Sequence, residues 1–147
     1  MRVAHGLWLL AGTQEKMIQT HDIKEIVHAR LQDADILLAS GRYDGAIYLC
    51  GYAIELALKA RICQTLKWSG YPQTNAEFKD YLSFRTHDLN VLLHLTGREQ
   101  KTRTDFLAEW SAVARWNPAV RYQIIGTTTE TNAQLMISAA KLLLEGI

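Results

Sequence analysis

Residues 41–62 read GRYDGAIYLCGYAIELALKARI, and this stretch decides the fold. Gly41 is a turn signal, and no proline interrupts the long apolar run that follows it. The pattern predicts a helix from about Tyr43 to Trp68, which the breaker sequence of residues 69–72 ends. Because this helix is apolar on most sides, we expect it at the centre of a helical bundle.

One side of the central helix is nevertheless polar. At about 100° per residue, five residues lie within about 40° of Glu55 and form a polar stripe. These are Asp44, Tyr48, Gly51, Glu55 and Lys59. Glu55 before Lys59 is the favourable order for an ion pair along a helix. The pair is interpreted either as an ordinary surface pair or as a polar seam at a cleft or dimer interface, with help from the small Gly51.

The rest of the chain from residue 20 onward is also helical in pattern, and no strand alternation is seen. The other predicted helices run from Asp22, as a capping residue, to Gly41, from His87 to Thr96, over residues 106–116 and from Glu130 to Glu145. Residues 98–103 are expected to form a solvated lead-in to one of them. Short connections between long amphipathic helices favour an antiparallel up-and-down bundle of four to five helices, an all-α fold over residues 20–147.

Residues 1–19 are expected to form a loosely ordered N-terminal extension. Their apolar part, Leu7–Ala11, is too short for a secretory leader, and no run reaches the roughly 18 residues of a membrane span. Cys50 and Cys63 lie on one predicted helix roughly 20 Å apart, too far to form a disulfide with each other. Two buried free thiols fit a cytoplasmic protein.

Composition and motifs exclude several classes of function. The chain has 147 residues, 48% of them hydrophobic, and a net charge of +1, so it has no whole-molecule field for capturing nucleic acid or a membrane. It contains no glycine-rich phosphate loop and no histidine, cysteine or carboxylate spacing typical of a metal site. We therefore expect neither a metal nor a cofactor.

Four segments in this order resemble the HEPN domain (higher eukaryotes and prokaryotes nucleotide-binding). They are GRYDGAIYL leading into AIELALKA on the central helix, HDLNVLL at 87–93, WNPAVRY at 116–122, and a closing helix rich in alanine and leucine. The resemblance covers about residues 22–147. It implies a bundle of four or five helices that is commonly a homodimer.

The resemblance also implies a choice of functions. Many HEPN proteins are encoded beside a minimal nucleotidyltransferase and act with it as a toxin–antitoxin pair. Others are metal-independent endoribonucleases that use an Arg-x4-6-His motif assembled across the dimer. Still others only bind nucleotides or partner proteins.

The ribonuclease motif is what this chain lacks, since none of its histidines follows an arginine at that spacing. Arg85 and His87 are an arginine and a histidine, but they are too close together for this motif. Downstream of Arg115, Arg121 occupies a position where a histidine would be useful. Arginine cannot act as a general base at neutral pH. We therefore expect a non-catalytic module that binds a nucleotide, RNA or a partner protein. The alternatives are a divergent ribonuclease toxin using Arg85 and His87, and a purely structural dimerisation module.

The residues expected to bind a nucleotide or partner are Tyr48, Glu55, Lys59, Arg115, Trp116, Arg121 and Tyr122. Arg115 and Arg121 could clamp a phosphate while Trp116 stacks on a base. In the alternative interpretation, the Arg121–Tyr122 link is only fastened to the bundle through carboxylates such as Glu55. Likewise, His87 is interpreted either as an acid–base group or as a capping or first-turn residue of its helix.

Overall fold

A computed structural model describes residues 17–147, so the expectation that residues 1–16 are loosely ordered lies outside the described residues. In this part of the chain, two short strands accompany six α-helices. In chain order they are β1 Met17–Gln19, α1 Thr20–Ala39, α2 Tyr43–Leu66, β2 Gly70–Pro72, α3 Leu89–Leu95, α4 Glu99–Asp105, α5 Leu107–Val113 and α6 Glu130–Gly146. Two 3-10 turns lie at Leu82–Phe84 and Pro118–Tyr122. The prediction of an all-α fold is confirmed.

The core is built around α2, as its composition predicted. α1 and α2 pack along each other and form a tight hairpin, because Gly41 turns the chain with φ +75° and the Arg42 N–H donates to the Leu37 carbonyl at 2.8 Å. α6 packs against both α2 and α5. Ile54 and Leu58 are fully buried on one flank of α2, and Leu56 is buried on the other flank. A helix that buries both its flanks in this way holds its remaining side, the polar stripe, in a fixed position.

A small antiparallel ribbon was not predicted from the sequence. Lys67 ends α2 in the left-handed conformation, and the chain then pairs β2 with β1, with Ile18 opposite Tyr71. Gly70 is required there, because an added Cβ would lie 2.5 Å from the Ile18 carbonyl oxygen. The predicted N-terminal extension reached residue 19, but Met17–Gln19 belong to the folded domain.

Two predicted helix starts are wrong. α1 begins at Thr20, so Asp22 lies within its first turn and does not cap it. Asp88 caps α3 by accepting from the Asn90 N–H at 2.9 Å, so His87 is not the capping residue. These ends were misjudged because several polar residues at each site could accept from a first-turn N–H.

The predicted fourth helix and its polar lead-in form two helices, α4 and α5. The helix breaks at Phe106, where φ is −133°. The break lays the Phe106 ring against Gly146 near the end of α6, so closely that a Cβ on Gly146 would overlap the ring. Tertiary packing therefore overrides a sequence that could have remained helical.

Cys50 and Cys63 are buried free thiols, as expected. Burial raises the pKa of Cys50 to about 12, so its thiol stays protonated. Among residues 17–147, no helix combines the length and apolarity needed to cross a bilayer.

Candidate functional site

A cleft of about 320 Å³ opens beside α2, between the two-stranded ribbon and the segment that precedes α3. Its lining includes Tyr52, Glu55, Lys59, Tyr71, Phe78, Phe84, Arg85, Thr86 and His87. The polar stripe of α2 therefore meets, at this point, the chain segment that carries Arg85 and His87. The sequence places these two groups about 30 residues apart, and only the fold brings them together.

The Glu55 carboxylate lies at the base of this cleft and is 1% exposed. Its Oε2 accepts from Lys59 Nζ at 3.2 Å, and its Oε1 lies 2.9 Å from His87 Nδ1. A buried carboxylate is costly unless it is paired and hydrogen-bonded, and here each oxygen has a partner. The interpretation as an ordinary surface pair is wrong. The alternative of a polar seam at a cleft is the one that the structure shows.

His87 connects the buried carboxylate to the surface. Its side chain is 65% exposed, although Nδ1 is held against Glu55. Since an ionised carboxylate only accepts hydrogen bonds, Nδ1 carries the proton and Nε2 remains for a ligand. Glu55 thus fixes both the ring position and the tautomer of an exposed imidazole.

Arg85 and Lys59 add positive charge to the same cleft. Arg85 is exposed and forms no ion pair within residues 17–147. Lys59 is only 15% exposed, and its Nζ lies 5.2 Å from the centre of the Tyr71 ring. Two cationic side chains and an oriented imidazole therefore converge on one cleft.

Aromatic residues form the opposite wall, and sequence analysis did not identify them as part of the site. Tyr71 donates to the Phe84 carbonyl at 2.6 Å, which holds the segment before Arg85 in place. Burial raises the pKa of Tyr71, and on the α2 wall burial with the nearby charge of Glu55 raises the pKa of Tyr52. The recurring aromatics in residues 68–84 were the available signal. They were missed because this stretch lacks helical or strand periodicity.

The 116–122 link covers the part of the stripe that contains Tyr48 and Gly51. The Trp116 ring lies directly on Gly51, where an added Cβ would overlap it, and its centre is 6.3 Å from that of Tyr48. Trp116 is 6% exposed, so it presents no free face to a base. The prediction that Trp116 stacks on a ligand is therefore wrong.

The link is also not fastened through Glu55. The Arg121 guanidinium lies 4.8 Å from the centre of the Tyr122 ring, and interactions with Tyr122 and then Tyr48 raise the pKa of Arg121. Arg115 is exposed. The predicted binding residues thus fall into two groups: Glu55 and Lys59 in the cleft, and Tyr48, Arg115, Trp116, Arg121 and Tyr122 on or beneath the link.

Asp44, the first residue of the stripe, holds the 123–128 segment, which follows the 116–122 link. Its carboxylate accepts from the Gly126 N–H at 2.6 Å and the Thr128 N–H at 3.0 Å, and these bonds lower the pKa of Asp44. A group with a lowered folded pKa contributes stability above its ordinary pKa of 3.8 and loses it as the pH falls through the lowered value. We expect the 123–128 segment to detach in acid.

This detachment can be followed through the amide hydrogen exchange of Gly126 and Thr128. Exchange should accelerate below about pH 4, beyond its intrinsic pH dependence, while the core of α2 stays protected. Asp44→Asn should show the faster exchange already at pH 7. Equal protection in the variant and the parent protein at pH 7 would show that Asp44 does not hold the 123–128 segment.

The residues described include one group of three closely spaced candidate metal ligands, His21, Asp22 and Glu25. All three are exposed on the first two turns of α1, and His21 pairs with Glu25 at 3.2 Å. An exposed cluster of this kind is common without an ion, and it lies outside the cleft. We assign no metal to it.

Comparison with models of protein families finds a match for the segment that contains the polar stripe of α2. The model of the HEPN domain matches residues 19–75. The predicted resemblance to the HEPN domain is confirmed. No curated protein and no solved structure matches the chain significantly.

The HEPN match runs from the last residue of β1 through α1, α2 and β2. It includes Glu55 and Lys59 and stops before Arg85 and His87. The HDLNVLL and WNPAVRY segments also lie beyond residue 75, so their part in the HEPN resemblance stays a prediction. One wall of the cleft therefore lies within the HEPN match, and the wall that carries Arg85 and His87 lies outside it.

Proposed function

We propose that this HEPN-family chain is a nucleotide-binding module and that the Glu55 cleft is its binding site. The observation that carries the proposal is the convergence of Lys59, Arg85 and His87 on one cleft whose floor is a buried carboxylate. Small-molecule sites are typically concave and largely apolar with a few fixed polar groups, and they measure about 300–1,000 Å³. A cleft of about 320 Å³ fits a mononucleotide better than a longer oligomer.

Each group has a role that follows from its position. Arg85, which forms no ion pair within residues 17–147, offers the planar donor fork that suits a phosphate. His87 Nε2 offers one further polar contact, and its ring cannot swing away without breaking the contact to Glu55. Tyr52 and Phe84 are both partly exposed, so their rings are available to pack against a base.

The test is a calorimetric titration with AMP, GMP and the corresponding nucleosides. We expect the nucleotides to bind and the nucleosides to bind at least about tenfold more weakly, because they lack the phosphate. Arg85→Gln should weaken nucleotide binding by about tenfold or more. Lys101→Gln removes an exposed charge outside the cleft and serves as the matched control. Arg121→Gln tests the alternative clamp on the link, and a loss confined to that variant would contradict the proposed site.

A second function, metal-independent RNA cleavage, is favoured by the contact between Glu55 and His87. Nε2 of the oriented imidazole could take the proton of a 2′-hydroxyl, while Arg85 stabilises charge on the phosphate. The spacing of Arg85 and His87 departs from Arg-x4-6-His, so binding without cleavage remains our first proposal. RNA cleavage in EDTA that is lost in His87→Ala, with Lys101→Gln unaffected, would make the chain a ribonuclease.

The partners implied by the HEPN resemblance are a second copy of the chain and a minimal nucleotidyltransferase, in a cytoplasmic toxin–antitoxin pair. They rest on what the HEPN resemblance implies. Light scattering coupled to gel filtration tests the homodimer. Toxicity on expression that is relieved by the product of a neighbouring gene tests the pair. If the chain is monomeric, a purely structural role as a dimerisation module is excluded.

A further inference from the structure

A second groove lies on the other side of α2, away from the Glu55 cleft. It measures about 270 Å³ and runs between α1, α2 and the end of α6. Its lining is Lys24, Val27, His28, Ala57, Ala60, Arg61, Gln64, Leu144 and Ile147. None of these residues lines the Glu55 cleft. On a helical projection Ala57, Ala60, Arg61 and Gln64 centre about 170° from Glu55, so the two openings are on nearly opposite sides of α2.

The floor and the rim of this groove differ in chemistry. Val27, Ala57 and Ala60 make an apolar floor, and the small alanines leave room for a ligand to approach the helix. Lys24, His28 and Arg61 supply the basic rim. None of the side chains that line the groove is acidic.

The basic residues of the rim have no internal counterions. Within residues 17–147, Lys24, His28 and Arg61 form no ion pair, although Arg30, Lys59 and Lys141 each pair with a carboxylate. The positive side chains of Lys24 and Arg61, at a groove lined by no acidic side chain, raise the local concentration of anions. The charge pattern therefore points to an anionic ligand.

Arg61 gives a second and independent indication. Its Nη1 donates to Gln64 Oε1 at 3.3 Å, which holds the guanidinium at the groove. Its Nε, in contrast, is buried and has no acceptor within the described residues. Buried donors are nearly always satisfied, and an unsatisfied one on a charged group is costly. A guanidinium presents Nε and one terminal nitrogen together as a fork that matches two oxygens of an oxyanion.

We propose that this groove binds a small organic anion, of the phosphate monoester class, with a compact apolar body. The phosphate oxygens accept from Lys24 at the rim and from the Arg61 guanidinium, whose buried Nε becomes a donor to the ligand when the side chain turns toward the groove. The apolar body lies on Ala57 and Ala60. This site is independent of the proposed nucleotide cleft, because the two share no residue and each contains its own arginine.

The test uses phenyl phosphate and inorganic phosphate as probes, followed by NMR of the arginine Nε–H signals and the backbone amides. We expect phenyl phosphate to shift the Arg61 Nε–H signal and to bind at least about tenfold more tightly than inorganic phosphate, because only the former uses the apolar floor. Arg61→Gln should lower the affinity for phenyl phosphate at least about tenfold. Lys24→Gln should lower it by less, since a lysine makes a single-point contact.

The control arms separate this site from the Glu55 cleft. Lys101→Gln should leave the affinity for phenyl phosphate and the Arg61 shift unchanged, and Arg85→Gln, whatever it does to binding in the Glu55 cleft, should leave the Arg61 shift unchanged. If phenyl phosphate binding is lost in Arg85→Gln but kept in Arg61→Gln, the probe occupies the cleft and the groove proposal is wrong. It is also wrong if neither probe binds at concentrations up to about 10 mM. If Arg61→Gln fails to fold, Arg61→Lys keeps the charge without the fork, and unchanged affinity in that variant would overturn the proposed role of Nε.

Discussion

Gly51→Ala should destabilise the protein by about 2 kcal/mol or more, although alanine is the better helix former by about 1 kcal/mol. An added Cβ at residue 51 would overlap three atoms of the Trp116 ring. That ring is 6% exposed, and the helix backbone beneath it cannot retreat without disturbing the core. Trp116 must therefore leave its position, and the packing of the 116–122 link on α2 is lost. The clash outweighs the gain in helix propensity.

The measurement is chemical denaturation of single and double variants. Trp116→Ala alone should cost about 3–5 kcal/mol, because a large buried aromatic is removed. The double variant Gly51→Ala/Trp116→Ala should lose clearly less stability than the sum of the two single losses, since the Cβ of the alanine no longer overlaps a ring. Gly45→Ala on the same helix is the matched control, because its Cβ would meet only the flexible Leu37 Cδ1 at 3.2 Å. Strictly additive costs would contradict the close approach of Trp116 to Gly51.

Lys59→Met should destabilise the protein by about 3 kcal/mol. The substitution keeps most of the length of the side chain but leaves Glu55, 1% exposed, with His87 as its remaining partner. A buried charge that has lost a partner is much more costly than a pair exchanged for apolar groups of similar size. The double variant Glu55→Leu/Lys59→Met should therefore recover most of the lost stability.

Thermal and denaturant unfolding of these two variants and of a control checks this prediction. Lys141→Met is the matched control, because Lys141 Nζ meets Asp35 at 3.0 Å in a pair that is about half exposed. Surface pairs of that kind contribute about 0–1 kcal/mol. If Lys59→Met and Lys141→Met have equally small effects, Glu55 is not the buried, partner-dependent carboxylate described above.

The local features of α2 could be predicted from the sequence. Its apolar periodicity, its turn at Gly41 and the four-residue step from Glu55 to Lys59 depend on residues close together in the chain, and the structure has all three. The third partner could not be predicted in this way. His87 is 32 residues from Glu55, and nothing in either residue's neighbourhood specifies the contact.

The errors have the same physical origin. Trp116 contacts Gly51 from a distant part of the chain, so helix periodicity could not reveal that Trp116 is buried. Its ring was therefore predicted to stack on a ligand. β1 and β2 have three residues each, too few for a strand pattern to be recognised. The break at Phe106 follows from its packing against Gly146, which is also a tertiary contact. The sequence therefore predicted the elements better than the surfaces that they bring together.

The central claim is that a nucleotide phosphate binds in the Glu55 cleft, and mapping the site by amide NMR tests it most directly. On titration with AMP, we expect the largest shifts at Arg85, Thr86 and His87, with smaller shifts at Glu55 and Lys59. In Arg85→Gln these shifts should require at least about tenfold more AMP. Shifts that cluster instead at Arg115 and Arg121, or no saturable shift at any residue, would contradict the proposed site.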